Sequence, residues 1–225
     1  MYHHREIVEA IADLCGGMVR LSQDLEGSDV VRVGSNRLFR VGDLVKVTDD
    51  AGGSEERVVA ELQDLSMVKL DAAVSGRYQV ARGARLKLLG GRVPSVVWIG
   101  RGRPELAPQP LAGGFPCIVV DPVRLEQPVR GGSNRTFIQD YWTSVYYMRR
   151  AGALEEEQEE LLGEVSGVFN LLMSDPYLGG TCWYSQVTQV EYSPEAERLL
   201  RDSGVPVRVV RMDVVARRSE LVSAG

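Results

Sequence analysis

Residues 136–150 read TFIQDYWTSVYYMRR, a segment in which apolar and polar side chains alternate. Trp142, Tyr146 and Met148 share one side of this alternation, and the residues around them include further aromatic and β-branched side chains, which favour strands. We therefore predict one long strand over Thr136–Arg150. Its length predicts a central position in a sheet.

A helix is predicted after this strand, from about Ala153 to Ser174. Apolar residues repeat there at three, four or seven positions, as the buried face of a helix requires. They are Leu154, Leu161, Leu162, Val165, Val168, Phe169 and Leu172. Five glutamates occupy the first two turns, where negative charge complements the helix dipole. We therefore interpret them as residues that stabilise the start of the helix and not as a metal cluster. The pair Asp175-Pro176 predicts the end of the helix.

The remaining C-terminal elements complete an α+β pattern. The sequence predicts strands at Cys117–Val120, Cys182–Tyr192 and Val205–Arg217, a polar loop from Pro122 to Arg135, and a short helix over Ala196–Asp202. The predicted fold class is therefore α+β, with a mixed or antiparallel sheet and the long helix packed on one face of it.

The N-terminal half has a different pattern. Residues 4–15 are predicted to form one amphipathic helix, and short β-like runs begin near residue 28. These runs are Val30–Val33, Leu38–Val47, Arg57–Leu62, Met67–Leu70 and Arg77–Leu89. Short strands separated by turn signals predict a small all-β barrel. A barrel of this size is marginally stable on its own, so we expect it to depend on the rest of the chain.

The segment Val41–Asp50 resembles the opening hairpin of SH3-like and KOW-like barrels, which makes an SH3-like barrel the prediction. Such barrels bind RNA, DNA or proteins, and the resemblance leaves these alternatives open. The predicted domain organisation has four parts. They are an N-terminal helix of the main domain over residues 1–27, the barrel over 28–90, a Pro/Gly-rich linker with one strand over 91–116, and the main α+β domain over 117–225.

Composition and charge exclude several functions. The chain has 225 residues and a formal net charge of −5, which argues against coating nucleic acid through bulk positive charge. Its two histidines, His3 and His4, lie at one end, so the sequence has no internal imidazole for a nucleophile–base pair. Cys15, Cys117 and Cys182 are far apart and are predicted to be buried. We therefore expect no catalytic, cofactor or metal site and no enzymatic activity.

The order of elements carries a family resemblance. An N-terminal helix, the segment FPCIVV at 115–120, the long strand, the amphipathic helix and the strands Trp183–Tyr192 and Val205–Arg217 resemble the tail terminator and tail-completion proteins of tailed bacteriophages. The resemblance covers residues 1–20 and about 110–218. The segment 28–90 is an insertion relative to the usual plan of that family.

The resemblance implies a virion structural protein, assembled in the host cytoplasm. It implies a homo-hexameric ring at the head-proximal end of the tail, which stops tube growth and joins the tail to the neck. The implied partners are further copies of the chain, the tail tube, the sheath of a contractile tail, and the neck or connector proteins. DNA would only pass through the lumen, and neither a cofactor nor a membrane is implied. The alternative is a cytoplasmic binding module whose barrel recognises nucleic acid or protein.

Two segments are predicted to make contacts in assembly. The loop Pro122–Arg135 is longer than an ordinary hairpin turn, so it is predicted to be an intersubunit or partner arm, with a merely exposed loop as the alternative. Its assembly residues are Arg124, Arg130, Gly131, Gly132, Asn134 and Arg135. The barrel hairpin is predicted to face a protein, because the barrel has only Phe39 and Tyr78 to stack on bases and its acidic residues balance its basic ones. The contact residues of this hairpin are Asp49, Asp50, Glu55 and Glu56.

Overall fold

The computed structural model describes residues 2–104, 114–125, 129–130, 136–151, 156–202 and 206–221. Within these ranges the chain is an α+β protein with two six-stranded sheets, one two-stranded sheet and three α-helices. The helices are α1 (Tyr2–Cys15), α2 (Glu156–Ser174) and α3 (Pro194–Asp202). The α+β class is confirmed.

Six strands of the N-terminal half form one antiparallel sheet, in the order β1-β8-β4-β5-β6-β3. They are β1 (Met18–Arg20), β3 (Val30–Arg32), β4 (Leu44–Thr48), β5 (Ser54–Gln63), β6 (Met67–Leu70) and β8 (Arg85–Leu88). β2 (Leu25–Glu26) and β7 (Arg77–Tyr78) pair with each other. A bridge between Leu21 and Val33, next to β1 and β3, joins the two ends of the order, so the sheet curls round on itself.

Two of the five predicted runs are interrupted in the structure. The run Leu38–Val47 is a strand only from Leu44, because the residues before it form turns. The run Arg77–Leu89 is broken by a 3₁₀ turn at Val80–Arg82, which ends at Gly83 with φ of +67°. A left-handed glycine of this kind stops a strand-like run, because it turns the chain in a direction that other residues avoid. The other three runs lie on β3, β5 and β6.

The second sheet contains the long strand. Its members are β9 (Trp98–Arg101), β10 (Cys117–Leu125), β11 (Val129–Arg130), β12 (Thr136–Arg150), β13 (Tyr184–Tyr192) and β14 (Val207–Leu221). The order is β13-β14-β12-β10-β9, and β11 also pairs with β12. β9 runs parallel to β10 while the other pairs are antiparallel, so the sheet is mixed. β12 has the predicted bounds and the predicted central position.

The region Pro122–Arg135 contains more strand than the sequence predicts. β10 continues through Leu125, where it still pairs with β12, and Val129–Arg130 pair with β12 as β11. The prediction of an unbroken loop is therefore wrong for these residues. Apolar periodicity does not reveal them, because a β-bulge between Pro122 and Arg124 shifts the alternation.

The first two helices bury residues that their spacing predicts. Ile7 and Leu14 of α1 are almost fully buried, and α1 contacts β9, β10, β12 and α2. On α2 the buried residues are Leu161, Val165, Val168, Leu171 and Leu172. Leu162 was predicted to reinforce this face, but it is 56% exposed, so that prediction is wrong. Leu154 lies outside the described residues, and α2 ends at Ser174 as predicted.

One hydrophobic cluster runs through both large sheets. It joins Val45 and Leu86 of the first sheet to Tyr147 of the second, and it includes residues of α1 and α2. A smaller cluster lies on the other side of the second sheet, where Met148 packs with Leu200 of α3. The interior of the N-terminal sheet is therefore continuous with the main core.

The three cysteines are buried and carry free thiols, as predicted. Burial raises the pKa of Cys15, Cys117 and Cys182 to about 12. At neutral pH each thiol is therefore protonated and behaves as a small apolar group in the core.

Candidate interaction surfaces

The hairpin between β4 and β5 uses its first acidic residue to build its own turn. Asp49 is buried, and its Oδ1 accepts hydrogen bonds from the amides of Ala51 and Gly53, both at 3.1 Å. Aspartate side chains commonly stabilise turns by accepting such bonds from the backbone that follows them. In the structure the Asp49 carboxylate is therefore committed to the hairpin itself.

Glu55 connects β5 to the segment that leads into β7. Its carboxylate accepts hydrogen bonds from the amides of Ser75 at 3.0 Å and Gly76 at 2.5 Å, and from the hydroxyl of Tyr78 at 3.1 Å. Arg57 adds an ion pair at 2.6 Å. These contacts lower the pKa of Glu55 to about 2, and the hydrogen bond from the amide of Ser75 is the largest cause. The pKa of Tyr78 is raised to about 12, mainly because the side chain is buried and secondly because its hydroxyl binds Glu55. Sequence reasoning placed this residue at a partner contact and missed its internal role.

The other two predicted hairpin residues reach solvent. The side chain of Asp50 is 66% exposed, although its Oδ1 accepts a hydrogen bond from Nη1 of Arg85 at 2.8 Å. Glu56 is exposed on β5, opposite Lys46 in the ladder. A partner that contacts this hairpin would therefore meet the charges of Asp50 and Glu56 before those of Asp49 and Glu55.

Two of the six predicted assembly residues have a described backbone position. Arg124 lies in β10 opposite Trp142, and Arg130 lies in β11 opposite Phe137. Both positions are thus beside the first half of β12. The other four lie outside the described residues, namely Gly131, Gly132, Asn134 and Arg135.

The side of the second sheet that faces away from the main core carries paired charges next to the smaller hydrophobic cluster. Arg211 donates to both carboxylate oxygens of Asp213, at 2.8 and 2.7 Å, and to Ser144 at 3.2 Å. Arg217 makes the same two-pronged contact with Asp140, with both bonds at 2.7 Å, and these bonds lower the pKa of Asp140. Sequence reasoning missed the second pair because it depends on the register of β14 against β12.

A cleft between α1 and the segment before β13 is lined by charged residues and one tryptophan. Trp183 is 54% exposed, and Glu6, Arg20 and Arg218 are among its neighbours in the cleft. Arg218 forms an ion pair with Glu6, and Arg20 binds Asp13 at 2.8 Å. Because both guanidinium groups have carboxylate partners within the chain, they are poorly suited to bind an additional anion.

The segment after β3 and the segment before β13 meet at a close backbone contact. Gly34 lies against Gly179 and Gly180, and a Cβ at position 34 would lie 1.8 Å from the carbonyl oxygen of Gly179. Beside it, the hydroxyl of Ser35 donates to Oδ1 of the fully buried Asp175 at 2.8 Å. These contacts fix the N-terminal sheet to the segment that follows α2.

β13 forms one edge of the second sheet. The start of this edge is partly closed, because the amide of Ser185 donates to the carbonyl of Pro176. A β-bulge interrupts the middle of the strand. Beyond the bulge, Val190 and Tyr192 are 47% and 48% exposed. The end of β13 therefore presents apolar side chains to solvent at a sheet edge.

No protein-family model matches this chain, and no curated protein matches it in sequence. Among the residues that the structure describes, no group of three or more His, Cys, Asp or Glu side chains is placed to hold a metal ion. In the same residues, no helix is long and apolar enough to cross a membrane. A functional proposal therefore rests on the fold and on the surfaces just described.

Proposed function

We propose that this protein is a structural subunit of a bacteriophage neck, one copy of a ring at the head-proximal end of the tail. The observation that carries the proposal is the order of elements around β12: an N-terminal helix, then β10, β12, α2, β13, α3 and β14. Tail terminator and tail-completion proteins have this order, as the sequence resemblance implies. In this role the ring stops tube growth and joins the tail to the neck.

The proposal also assigns two parts of the fold, the long helix and the SH3-like barrel. α2 is assigned as the long helix that supports one face of the second sheet. Leu161 shares the main cluster with Tyr147, and the hydroxyl of Tyr147 donates to Glu164 of α2 at 2.7 Å. The curled N-terminal sheet is assigned as the SH3-like barrel inserted in the family plan. The bridge between Leu21 and Val33 supports this assignment, because it brings the ends of the sheet together.

The proposed partners are further copies of the chain and the components on either side of the ring. These are the tail tube, the sheath if the tail is contractile, and the neck or connector proteins, all within the virion. The barrel is proposed to face one of these proteins. The exposed carboxylate of Glu56 supports a contact at the hairpin, since it would pair with a basic surface on the partner, whereas the exposed Asp50 beside it already pairs with Arg85.

A channel that DNA crosses must not bind phosphate groups tightly. The paired charges on this side of the second sheet are suited to this role, because Arg211 and Arg217 each bind a carboxylate of the same chain. The net charge of −5 also disfavours the binding of phosphate groups. Phosphate binding requires cations that are free to neutralise it, and these two arginines are already neutralised.

The proposal is tested by the assembly state of the full-length chain. Light scattering and negative-stain electron microscopy of the purified protein are expected to show a closed ring with a central opening, with six copies as the family resemblance implies. A chain that stays monomeric up to its solubility limit would contradict the proposal.

A second measurement separates the ring from a nucleic-acid-binding module. Fluorescence anisotropy with labelled single-stranded and duplex oligonucleotides is expected to show no saturable binding by the full-length chain near 150 mM salt. A binding protein of the alternative class would show micromolar affinity that falls steeply as salt is raised, since phosphate contacts release counterions, typically with a slope of about −0.9 per contact. Such binding would favour the alternative.

A further inference from the structure

One histidine lies between α1 and the second sheet. His4 is in the first turn of α1, and its ring meets the ring of Tyr141 edge to face, with the ring centres 5.4 Å apart. Tyr141 lies in β12 and is 4% exposed. His4 therefore joins the start of α1 to the central strand of the second sheet.

The two nitrogen atoms of this imidazole have different surroundings. Burial lowers the pKa of His4, and a hydrogen bond between the ring and the backbone of Trp142 partly opposes this effect. A bond that favours the protonated ring is one in which the ring is the donor. Nε2 is buried and has no hydrogen-bond partner among the described residues. Nδ1 therefore donates to Trp142, and the neutral ring carries its proton on that atom.

A second proton, on Nε2, does not fit this arrangement. It would add an N–H donor at a buried position where the described residues offer no acceptor, and a buried donor without a partner costs free energy. It would also place a positive charge in the first turn of a helix, where the dipole favours negative charge. Both effects oppose protonation of His4 while α1 is docked.

The charged groups of α1 do not offset these effects. The amino terminus of the chain is a further positive charge that lowers the pKa of His4. The neighbouring Arg5 is bound to Glu9, and Glu6 is paired with Arg218 of β14. The two carboxylates of α1 closest in sequence to His4 therefore bind arginines.

The charged groups of the strands beside His4 do not offset them either. Asp140 of β12 binds Arg217 on the side of the sheet that faces away from the main core. In β10, the residue opposite Trp142 is Arg124, a further positively charged residue. Tyr141 itself meets the imidazole through its ring.

We propose that His4 is an acid-sensitive latch, which holds the first turn of α1 on β12 when its ring is neutral and releases that turn when the ring is protonated. The rest of α1 stays docked, because Ile7, Ile11 and Leu14 are buried in the main core. Release uncovers the ring of Tyr141. This inference does not depend on ring assembly, so its failure would leave the proposed function standing.

The direction of the pH effect follows from the lowered pKa of the docked imidazole. A histidine in a released segment has a pKa of about 6.5. The docked ring has a lower pKa, so the released turn binds protons more readily. The contribution of His4 to docking is therefore complete above about pH 6.5 and is lost as the pH falls below this value. Glu55 acts in a different range, because its pKa is about 2.

Hydrogen-exchange mass spectrometry of the full-length chain tests the latch. Exchange of the carbon-bound hydrogen between the two ring nitrogens reports the pKa of His4, which is expected below about 6.5. The amides of Glu6, Ile7 and Val8 bond to carbonyls of the first turn in an α-helix. Their protection is expected to fall by about fivefold or more between about pH 7.5 and about pH 5, in line with the usual cost of a buried donor without a partner. A pKa of about 6.5 or higher, or unchanged protection, overturns the proposal.

Two variants assign the effect to one of the two histidines. His4→Phe keeps an aromatic ring against Tyr141 but cannot be protonated, so its amide protection in α1 is expected to be equal at both pH values. His3→Gln is the matched control and is expected to lose protection in acid as the unmodified chain does. A pH dependence that survives in His4→Phe, or disappears in His3→Gln, overturns the assignment to His4. The ring titration of the unmodified chain decides the question if His4→Phe does not fold.

Discussion

The carboxylate of Glu55 binds donors that would otherwise face water in the segment before β7. The amides of Ser75 and Gly76 and the hydroxyl of Tyr78 all donate to it. These bonds lower its pKa to about 2, whereas a glutamate in an unfolded chain has a pKa of about 4.3. A lowered pKa means that Glu55 stabilises the fold above the unfolded value, and that this contribution is lost as the pH falls toward 2.

Replacing this residue is expected to destabilise the fold in a pH-dependent way. Glu55→Gln should lower the free energy of unfolding at pH 7 by about 1–3 kcal/mol, because it removes the charge that four donors share. The difference from the unmodified chain should shrink between about pH 4 and pH 2, as the native carboxylate becomes protonated. Urea unfolding at several pH values measures both effects. Glu56→Gln, at the exposed neighbour, is the control and should change stability by less than about 0.5 kcal/mol.

At the scale of elements, α2 shows how a helix separates adjacent residues into core and surface. Leu161 is 2% exposed and Leu162 is 56% exposed, although both are leucines in the same turn. Leu161→Ala should therefore cost about 2–5 kcal/mol, because it removes buried methyl groups and leaves a cavity. Leu162→Ala should cost less than about 1 kcal/mol, since most of its side chain is already in water. Calorimetry of the two variants provides the comparison, and equal melting temperatures would mean that α2 is rotated relative to the core.

At the scale of the whole molecule, the contact at Gly34 joins the N-terminal sheet to the segment that leads into β13. A Cβ there would overlap the backbone of Gly179, and backbone atoms cannot move aside as a flexible side chain can. Gly34→Ala should therefore destabilise the chain by at least about 1–3 kcal/mol, the usual cost of overpacking. Gly91→Ala is the control, because a Cβ at that position meets open space. Thermal unfolding of both variants is the measurement, and similar melting temperatures would show that this backbone contact can widen without cost.

Local sequence alone accounts for the elements with strong periodicity. The bounds of β12 and β6, the end of α2 at Ser174 and the buried residues of α1 follow from alternation or helical spacing within short windows. The same patterns account for the α+β class and for the central position of β12. The SH3-like assignment, the domain boundaries and the phage role remain predictions, because they concern relations between elements and between proteins.

The tertiary structure alone decides the features that depend on residues distant in the chain. The bridge from Leu21 to Val33, the parallel pairing of β9 with β10 and the ligands of Glu55 belong to this group. The same holds for the continuation of β10 past its bulge. Periodicity reports which side chains face a core, but not which strand lies beside another. Strand order and register are set by the packing of the whole chain, so they become visible only when it is folded.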